Sequence, residues 1–570
     1  MDNSRNNDMR FVADIIKMLP HYEHMELIDA KSNNSEKGED VTYKDLVGTR
    51  KAGNVTSSYR DGKGELHYVM DKLGHEVIVG GTGSGKSTGP INAQIDAGSL
   101  AGYSMAIVDT KGELYESNAA RLEKRGYDVR LINIKDAQHS EKINPLYKGA
   151  KLILSLKNVG TNVICKDEHG KKCYKYKGRA YHSQKSLQEV FSYEITNVYN
   201  QVQKEFRSVV AKLWPVESEK DPMWEKNAWK MLIALAFALA SDQLETDTNK
   251  KTDIKQVNFA NMKAIFDSFE NGRRGGLNDR GFFSRRGYDS FVYSEVKRIF
   301  FENADTTMRN FLGFVDDAFS KYNFPGFMEL TLTNSFHMED FIDKPTALFI
   351  VYDEMDILSQ SFLSYNISYM LEELKLIADA RPSLCLPSPV LFIIDEFATL
   401  PKNEHIANFI AFGRSRKIFI HFVLQSYSQL MSKYGELGKS LLENCNNTIF
   451  LSTNDFKTIQ DFSVELGKCT IIAPGSELYN GALRLEERPI VTCSNLSALK
   501  QGEAYVKRNG KMPLKACFEK SYECAEYKCP RKKLSDYPNP LDGERAQYDY
   551  DVTKIREEVD DDDDDDLFNF

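Results

Sequence analysis

The sequence predicts an α/β protein whose central sheet is mostly parallel, and three observations lead to that prediction. Short apolar runs at 75–80, 104–108 and 129–133 alternate with helical patterns, as strands joined by crossover helices do. Between about residues 150 and 342 this rhythm is lost and long helical patterns dominate. It then resumes with apolar runs at 347–352, 390–394, 419–424 and 448–451. The sheet is therefore predicted to be split in sequence by an inserted all-α domain.

Length and composition limit the class of protein. A chain of 570 residues is too long for one hydrophobic core, so at least two domains are expected. With a net charge of -9, any contact with DNA has to come from local basic stretches. Nine cysteines without an N-terminal signal peptide favour free thiols in the cytoplasm. The longest apolar run, 231–240, is about half of the roughly 20 residues that cross a bilayer, so no transmembrane segment is expected.

A glycine-rich loop follows the first predicted strand of the sheet. Residues 80–87 read GGTGSGKS and match the pattern G-x-x-x-x-G-K-[ST] between a strand and a helix. The glycines let successive N–H groups face phosphate oxygens, so the match favours nucleotide binding over a simple turn. Lys86 is expected to neutralise the β- and γ-phosphates of ATP, and Ser87 to ligate Mg²⁺. The residues expected to contact the nucleotide are Gly80, Gly81, Thr82, Gly83, Ser84, Gly85, Lys86, Ser87 and Thr88.

An acidic pair ends a later strand. The apolar run at 390–394 is typical of a strand buried on both faces, and Asp395 and Glu396 follow it directly. Asp395 is expected to hold the Mg²⁺ shell, and Glu396 to act as the general base on the attacking water. The same dipeptide also occurs at ordinary solvated strand ends, so this assignment depends on the preceding glycine-rich loop.

Two further residues flank the next apolar run. Gln425 follows the strand predicted at 418–424, where its amide can contact the γ-phosphate and sense hydrolysis. Arg414 precedes that strand within the basic stretch 413–417, where it can act as an arginine finger on a neighbouring subunit. A solvated arginine cluster is the alternative interpretation of this stretch.

These motifs together resemble the type IV coupling proteins, the TraG/TraD-like ATPases of conjugation and type IV secretion. The resemblance rests on GGTGSGKS at 80–87, VDTKGELY at 108–115, INPL at 143–146, DPMWEKNAWKML at 221–232, LFIIDEFATLPK at 391–402, GRSRKI at 413–418 and LQSYSQL at 424–430. It implies a RecA-like nucleotide-binding domain interrupted by an all-α domain. By motif position, Lys86, Ser87, Asp395 and Glu396 correspond to the ATPase residues, Gln425 to the sensor and Arg414 to the trans arginine.

The resemblance also implies partners and an assembly. Members of the family move single-stranded DNA with its attached relaxase to the secretion channel and its ATPases, as hexameric rings with ATP between subunits. They usually begin with transmembrane helices, whereas this chain begins with a polar segment. Recruitment to the cytoplasmic face of the membrane is therefore expected to need an anchoring partner. The active form is expected to be a homo-hexamer, and the isolated protein can be a monomer.

The expected organisation has four parts. Residues 1–70 form a polar, irregular N-terminal segment without a transmembrane helix, and 71–150 with 343–530 form the RecA-like domain. Residues 151–342 form the inserted all-α domain. Residues 531–570, which include seven consecutive aspartates, form a disordered acidic tail.

Two other functions remain open from the sequence. A double-stranded DNA translocase of the FtsK/HerA type carries the same nucleotide motifs, although the DPMW helix and the large insertion disfavour it. A receptor that uses nucleotide only to fix ring assembly has no need of the general base Glu396.

A metal site at Cys165, His169, Cys173 and His182 is also open, but the spacing is not that of a zinc finger and favours a hairpin.

Overall fold

The computed structural model describes most of the chain as two compact units. The first contains the described residues up to 132 and those from 337 to 536; the second contains residues from 133 to 336 and from 537 onward. The described residues are 27–32, 35–159, 163–166, 172–177, 179–181, 183–215, 223–246, 251–271, 282–283, 291–300, 305–472, 485–541 and 545–550.

The strands are numbered in chain order. They are β1 Ile28–Asp29, β2 Glu39–Thr42, β3 Asn54–Arg60, β4 Leu66–Asp71, β5 Glu76–Val79, β6 Ser104–Asp109, β7 Asp128–Asn133, β8 Val163–Lys166, β9 Lys172–Tyr176, β10 Arg179–Tyr181, β11 Thr346–Val351, β12 Val390–Ile394, β13 Ile418–Leu424, β14 Asn447–Phe450, β15 Lys468–Ile472, β16 Leu485–Pro489, β17 Glu503–Arg508 and β18 Leu514–Cys517.

The α-helices are numbered in the same way. They are α1 Asn92–Leu100, α2 Glu113–Lys124, α3 Tyr147–Leu154, α4 Gln184–Leu213, α5 Met223–Ser241, α6 Phe259–Asn271, α7 Phe291–Phe300, α8 Asp305–Tyr322, α9 Pro325–Leu330, α10 Asp340–Asp343, α11 Ile357–Asp379, α12 Glu404–Gly413, α13 Tyr427–Tyr434, α14 Glu436–Glu443, α15 Phe456–Glu465 and α16 Cys493–Ser497. Among the described residues, no helix combines the length and apolar character that crossing a bilayer requires.

A ten-stranded sheet forms the centre of the first unit. Its strand order is β1-β18-β17-β14-β5-β13-β12-β6-β11-β7. The five successive pairs from β14 to β11 are all parallel, and β17 pairs antiparallel with both β14 and β18. Strands β5, β12 and β13 are buried at every position, as parallel strands covered on both faces are. The predicted α/β class with a mostly parallel sheet is confirmed.

The expectation of an irregular N-terminal segment is wrong over residues 39–71. Strands β2, β4 and β3 form a separate antiparallel sheet in that order. The sequence pattern concealed β3 because its middle is polar, yet Thr56, Ser57 and Ser58 are buried. The Thr56 hydroxyl donates to the Val69 carbonyl at 3.0 Å, and the Ser57 hydroxyl to the Cys517 carbonyl at 2.7 Å. Backbone acceptors therefore let hydroxyl side chains occupy core positions.

The second unit is mainly helical. Helices α3 to α9 belong to it, and the apolar run at 231–240 is buried within α5. It also contains a three-stranded antiparallel sheet, β10-β9-β8, in which Cys165 lies opposite Cys173 in register. This sheet corrects the expectation of purely helical structure, and its β-branched and aromatic residues favour strands.

The predicted acidic tail begins too early at residue 531. The Lys532 amide donates to the Glu116 carbonyl at 3.1 Å, within the first unit. Further on, Leu541 and Tyr548 are buried against Leu332 in the second unit. These apolar side chains explain why the segment packs. The seven aspartates themselves lie outside the described residues.

A buried ionisable pair lies inside the large sheet. Glu76 on β5 and His421 on β13 are neighbours in register, and their Oε1 and Nδ1 atoms are 3.6 Å apart. Burial raises the pKa of Glu76 well above its ordinary value, and nearby Asp71 adds to the effect. Burial and the neighbouring His75 lower the pKa of His421 to about 3. Burial therefore favours the neutral form of both side chains in the folded chain.

This pair predicts a dependence of stability on pH. Folded Glu76 keeps its proton to higher pH than the unfolded chain, whose carboxyl ionises above its ordinary pKa of 4.5, so rising pH through this range favours unfolding. Between about pH 5 and about pH 7, wild type should lose thermal stability relative to Glu76→Gln as pH rises, and this comparison cancels the contribution of His421, which both proteins share. Thermal unfolding at both pH values measures this difference. The exposed control Glu436→Gln should follow wild type, and parallel behaviour of Glu76→Gln and wild type would contradict the account.

Candidate nucleotide-binding site

The glycine-rich loop leaves the carboxyl end of β5 and runs into a helix. The Gly80 amide donates to the Leu424 carbonyl at 3.0 Å, and the Gly81 amide to the Ser452 carbonyl at 2.8 Å, so the loop is fixed to β13 and the end of β14. Gly85 has a φ of +94°, which side chains rarely adopt, and a Cβ there would lie 3.1 Å from Gln501. The loop is therefore a rigid turn that positions its N–H groups.

The ammonium group of Lys86 turns back over the loop. Its Nζ donates to the Gly80 carbonyl at 2.7 Å and lies 3.8 Å from Oε1 of Glu396. The side chain is almost fully buried, so its charge acts through a medium of lower dielectric than water. The structure thus brings together the lysine of the loop and the second carboxylate of the acidic pair, which are more than 300 residues apart in sequence.

Asp395 and Glu396 emerge at the carboxyl end of β12. Glu396 has a φ of +52°, an unusual conformation for a residue with a side chain, and its carbonyl accepts from the Thr399 amide at 2.8 Å. The turn fixed in this way directs the Glu396 carboxylate toward Lys86. Backbone strain of this kind is often retained where it orients a functional group.

Gln425 contacts the same carboxylate from the neighbouring strand. It follows β13 directly, and its Nε2 donates to Oε2 of Glu396 at 3.0 Å. Strand β13 lies between β5 and β12 in the sheet, so the three side chains come from the ends of three adjacent strands. Lys86, Glu396 and Gln425 therefore form one cluster at the carboxyl edge of the sheet.

Three carboxylates surround this point. Asp109 ends β6, the strand next to β12, and its oxygens accept from the Gly112 and Tyr115 amides at 2.9 Å. Burial raises the pKa of Asp109 to about 6. Burial is also the main cause that raises the pKa of Asp395 to about 7, and Glu396 and Asp109 add to it while Lys86 opposes it. The site therefore holds an excess of acidic groups over its one ammonium.

The donor set fits Mg²⁺. Carboxylate and hydroxyl oxygens are the ligands that this hard cation prefers, and Asp395 and Ser87 supply one of each. Burial and the neighbouring Glu396 raise the pKa of Asp395, and a cation bound there would favour its ionised form. Asp395 and Ser87 are thus the residues that would hold the ion, which when bound would neutralise phosphate charge.

Arg414 is not part of this cluster. It begins a short 3₁₀ turn before β13, whereas Gln425 follows the other end of that strand. Seven residues of strand separate the two ends by about 23 Å. The Arg414 side chain is exposed and forms no hydrogen bond or ion pair with the described residues, while its neighbour Arg416 is paired with Asp379 at 2.9 Å. Arg414 therefore cannot serve the nucleotide site of its own chain.

Sequence reasoning missed Asn92, which braces the start of the helix after the loop. Its Nδ2 donates to the Ser87 carbonyl at 2.6 Å, and its Oδ1 accepts from Nδ2 of Asn118 at 2.8 Å. The same Nδ2 lies 3.3 Å from the Ser521 hydroxyl. An asparagine five residues after the loop carries no recognisable signal, so only the structure could reveal it. Asp109 lies in the motif VDTKGELY at 108–115, whose sequence alone does not indicate its place beside Asp395.

Comparison with known proteins decides the family. The profile described as "Type IV secretory system Conjugative DNA transfer" matches residues 23–534, nearly the whole chain. The chain belongs to this family. The predicted identification as a type IV coupling protein is thereby confirmed. A comparison with curated protein sequences finds no match.

Solved structures support the fold. The unbound monoclinic form of the bacterial conjugative coupling protein TrwBΔN70 shares 17% identity, covers 81% of this chain and 87% of its own, and superposes with a TM-score of 0.52. TrwB with the non-hydrolysable ATP analogue ADPNP gives the same four values. The trigonal form of TrwBΔN70 in complex with sulphate shares 15% identity with this chain. It covers 87% of this chain and 92% of its own, and has a TM-score of 0.53. This coupling protein thus has the predicted RecA-like α/β fold.

Proposed function

We propose that this coupling protein is an ATPase that recruits a relaxase–DNA complex and drives single-stranded DNA through a hexameric ring. The observation that carries the proposal is the contact of Lys86, Glu396 and Gln425 at the ends of three adjacent strands. In a member of a conjugative DNA transfer family, such a site links nucleotide chemistry to cargo movement.

In the proposed mechanism Lys86 exchanges the Gly80 carbonyl for the β- and γ-phosphates of ATP. N–H groups within residues 82 to 88 bind the remaining phosphate oxygens, while the Gly80 and Gly81 amides hold the loop to the sheet. Glu396 then accepts the proton of the attacking water and positions that water in line with the γ-phosphate. Because Gln425 is bonded to Glu396, loss of the γ-phosphate changes its hydrogen bond, which makes it the sensor.

The proposed role of Arg414 requires a second subunit. Its exposed guanidinium lies at the far end of β13 from its own nucleotide site. In a closed ring of identical subunits, one surface of each subunit contacts a different surface of the next subunit. Arg414 would then stabilise the charge of the transferred phosphoryl group in the neighbouring site, so that hydrolysis depends on assembly.

Partners follow from the same proposal. Relaxase proteins deliver the strand, and the ATPases of the secretion channel receive it. Recruitment from the cytoplasm to the inner face of the membrane is assigned to an anchoring partner. These assignments are supported by family membership rather than by a particular contact.

The Glu396→Gln variant tests the hydrolytic role. The amide keeps the size of the side chain and can still accept from Gln425, but it cannot take a proton from water. ATP binding should persist while single-turnover hydrolysis falls by about 10²- to 10⁴-fold. Conjugative transfer by donor cells should stop in this variant and in Lys86→Ala. Normal transfer with either variant would instead support a receptor that uses nucleotide only for assembly.

Mixing two inactive variants tests the trans arrangement. Arg414→Ala keeps its own phosphate-binding loop, and Lys86→Ala keeps its arginine, so each should be nearly inactive alone. In mixed rings, the loop of the first can face the arginine of the second and restore part of the ATPase rate. A titration of one variant into the other measures this. Rates that stay at the sum of the separate variants would show that Arg414 does not act across subunits.

A further inference from the structure

An open cleft lies within the second unit, beside the start of α5 and along α8. Its lining residues are Trp224, Asn310, Gly313, Phe314 and Asp317, and its volume, open to solvent on one side, is about 430 Å³. This volume falls within the range of about 300–1,000 Å³ that small-molecule sites occupy. Four of these residues are spaced i, i+3, i+4 and i+7 on α8, so they share one face of that helix.

One wall of the cleft is a pair of parallel aromatic rings. The rings of Trp224 and Phe314 are stacked with centroids 5.7 Å apart and an angle of 9° between their planes. The Phe314 side chain is 38% exposed. Met223, which precedes Trp224 in sequence, is 55% exposed. Flat aromatic faces that remain open to solvent are the usual platform on which the bases of single-stranded nucleic acid stack.

Three other lining residues determine the space in the cleft and the hydrogen bonds that it can form. Gly313 forms part of the lining, and a Cβ added there would meet no atom within 4 Å. The absence of a side chain at this position thus leaves room beside the rings. The Asn310 amide can both donate and accept hydrogen bonds, whereas the Asp317 carboxylate can only accept.

We propose that this cleft binds one nucleobase of single-stranded DNA by stacking it on an outer face of the Trp224–Phe314 ring pair. The inference rests on the proposed function, in which single-stranded DNA is the cargo. Asp317 would accept from the exocyclic amino group of cytosine, adenine or guanine, which thymine lacks. Its negative charge also repels phosphates, so the base enters edge first with the backbone outside the cleft.

The Gly313→Leu variant of the full chain fills the cleft and tests this proposal. Leucine favours a helix more than glycine does, so loss of binding cannot be ascribed to a weakened helix. The matched control is Ser320→Leu, an exposed position two turns further along α8. The probes are 20-nucleotide strands of dC and of dT. Gly313→Leu should weaken binding of the dC strand about 5- to 100-fold and that of the dT strand less, while Ser320→Leu should bind like wild type.

Tryptophan fluorescence locates the bound base. The chain has three tryptophans, and stacking on Trp224 should quench its emission. The Trp224→Phe variant should still bind the dC strand but lose that quenching, because phenylalanine retains an aromatic face. Retained quenching in this variant would place the base elsewhere and overturn the proposal.

The outcomes separate the cleft from the function on which it rests. If wild type binds neither strand, the single-stranded DNA function fails together with the cleft. If wild type binds and Gly313→Leu binds equally well, the cleft proposal is overturned while the function stands. If Gly313→Leu keeps its DNA affinity but abolishes transfer in donor cells, the cleft takes a protein partner and the proposal is also overturned.

Discussion

The balance of charge at the carboxyl edge of the large sheet is the constraint on which the candidate site depends. The buried ammonium of Lys86 lies 3.8 Å from Glu396 and interacts with Asp395, and Asp109 adds a third carboxyl group beside Asp395. Burial raises the pKa of Asp395 to about 7, and the neighbouring Glu396 and Asp109 add to the effect. A nucleotide with its divalent cation would supply both the phosphate charge for Lys86 and the positive charge that the carboxylates lack.

The order of the strands places a hydrogen-bonding side chain between the phosphate-binding loop and the acidic pair. Strand β13 separates β5, which carries the phosphate-binding loop, from β12, which carries the acidic pair. Gln425 at the end of β13 therefore lies between the two and bonds to Glu396. The opposite end of the same strand leads back to Arg414. A single buried strand thus connects Gln425, the proposed sensor of one site, with Arg414, the residue proposed to serve the next.

The parts that the sequence predicted are those with a strong local pattern. The strand at 390–394 has the bounds that its five apolar residues indicate, and the loop at 80–87 lies between strand and helix as its glycines require. The pattern failed for β3, where Thr56, Ser57 and Ser58 are buried through hydrogen bonds to distant backbone atoms. Likewise, the contact of Glu396 with Lys86 depends on a positive φ that no periodicity reveals.

The most direct test of the account compares the ATPase rate of the purified chain with single-stranded and double-stranded DNA of equal length. A coupling protein that threads one strand should be stimulated more by single strands, and the stimulation should decline with salt as phosphate contacts are screened. Stimulation by duplex alone would contradict the account and favour a double-stranded DNA translocase.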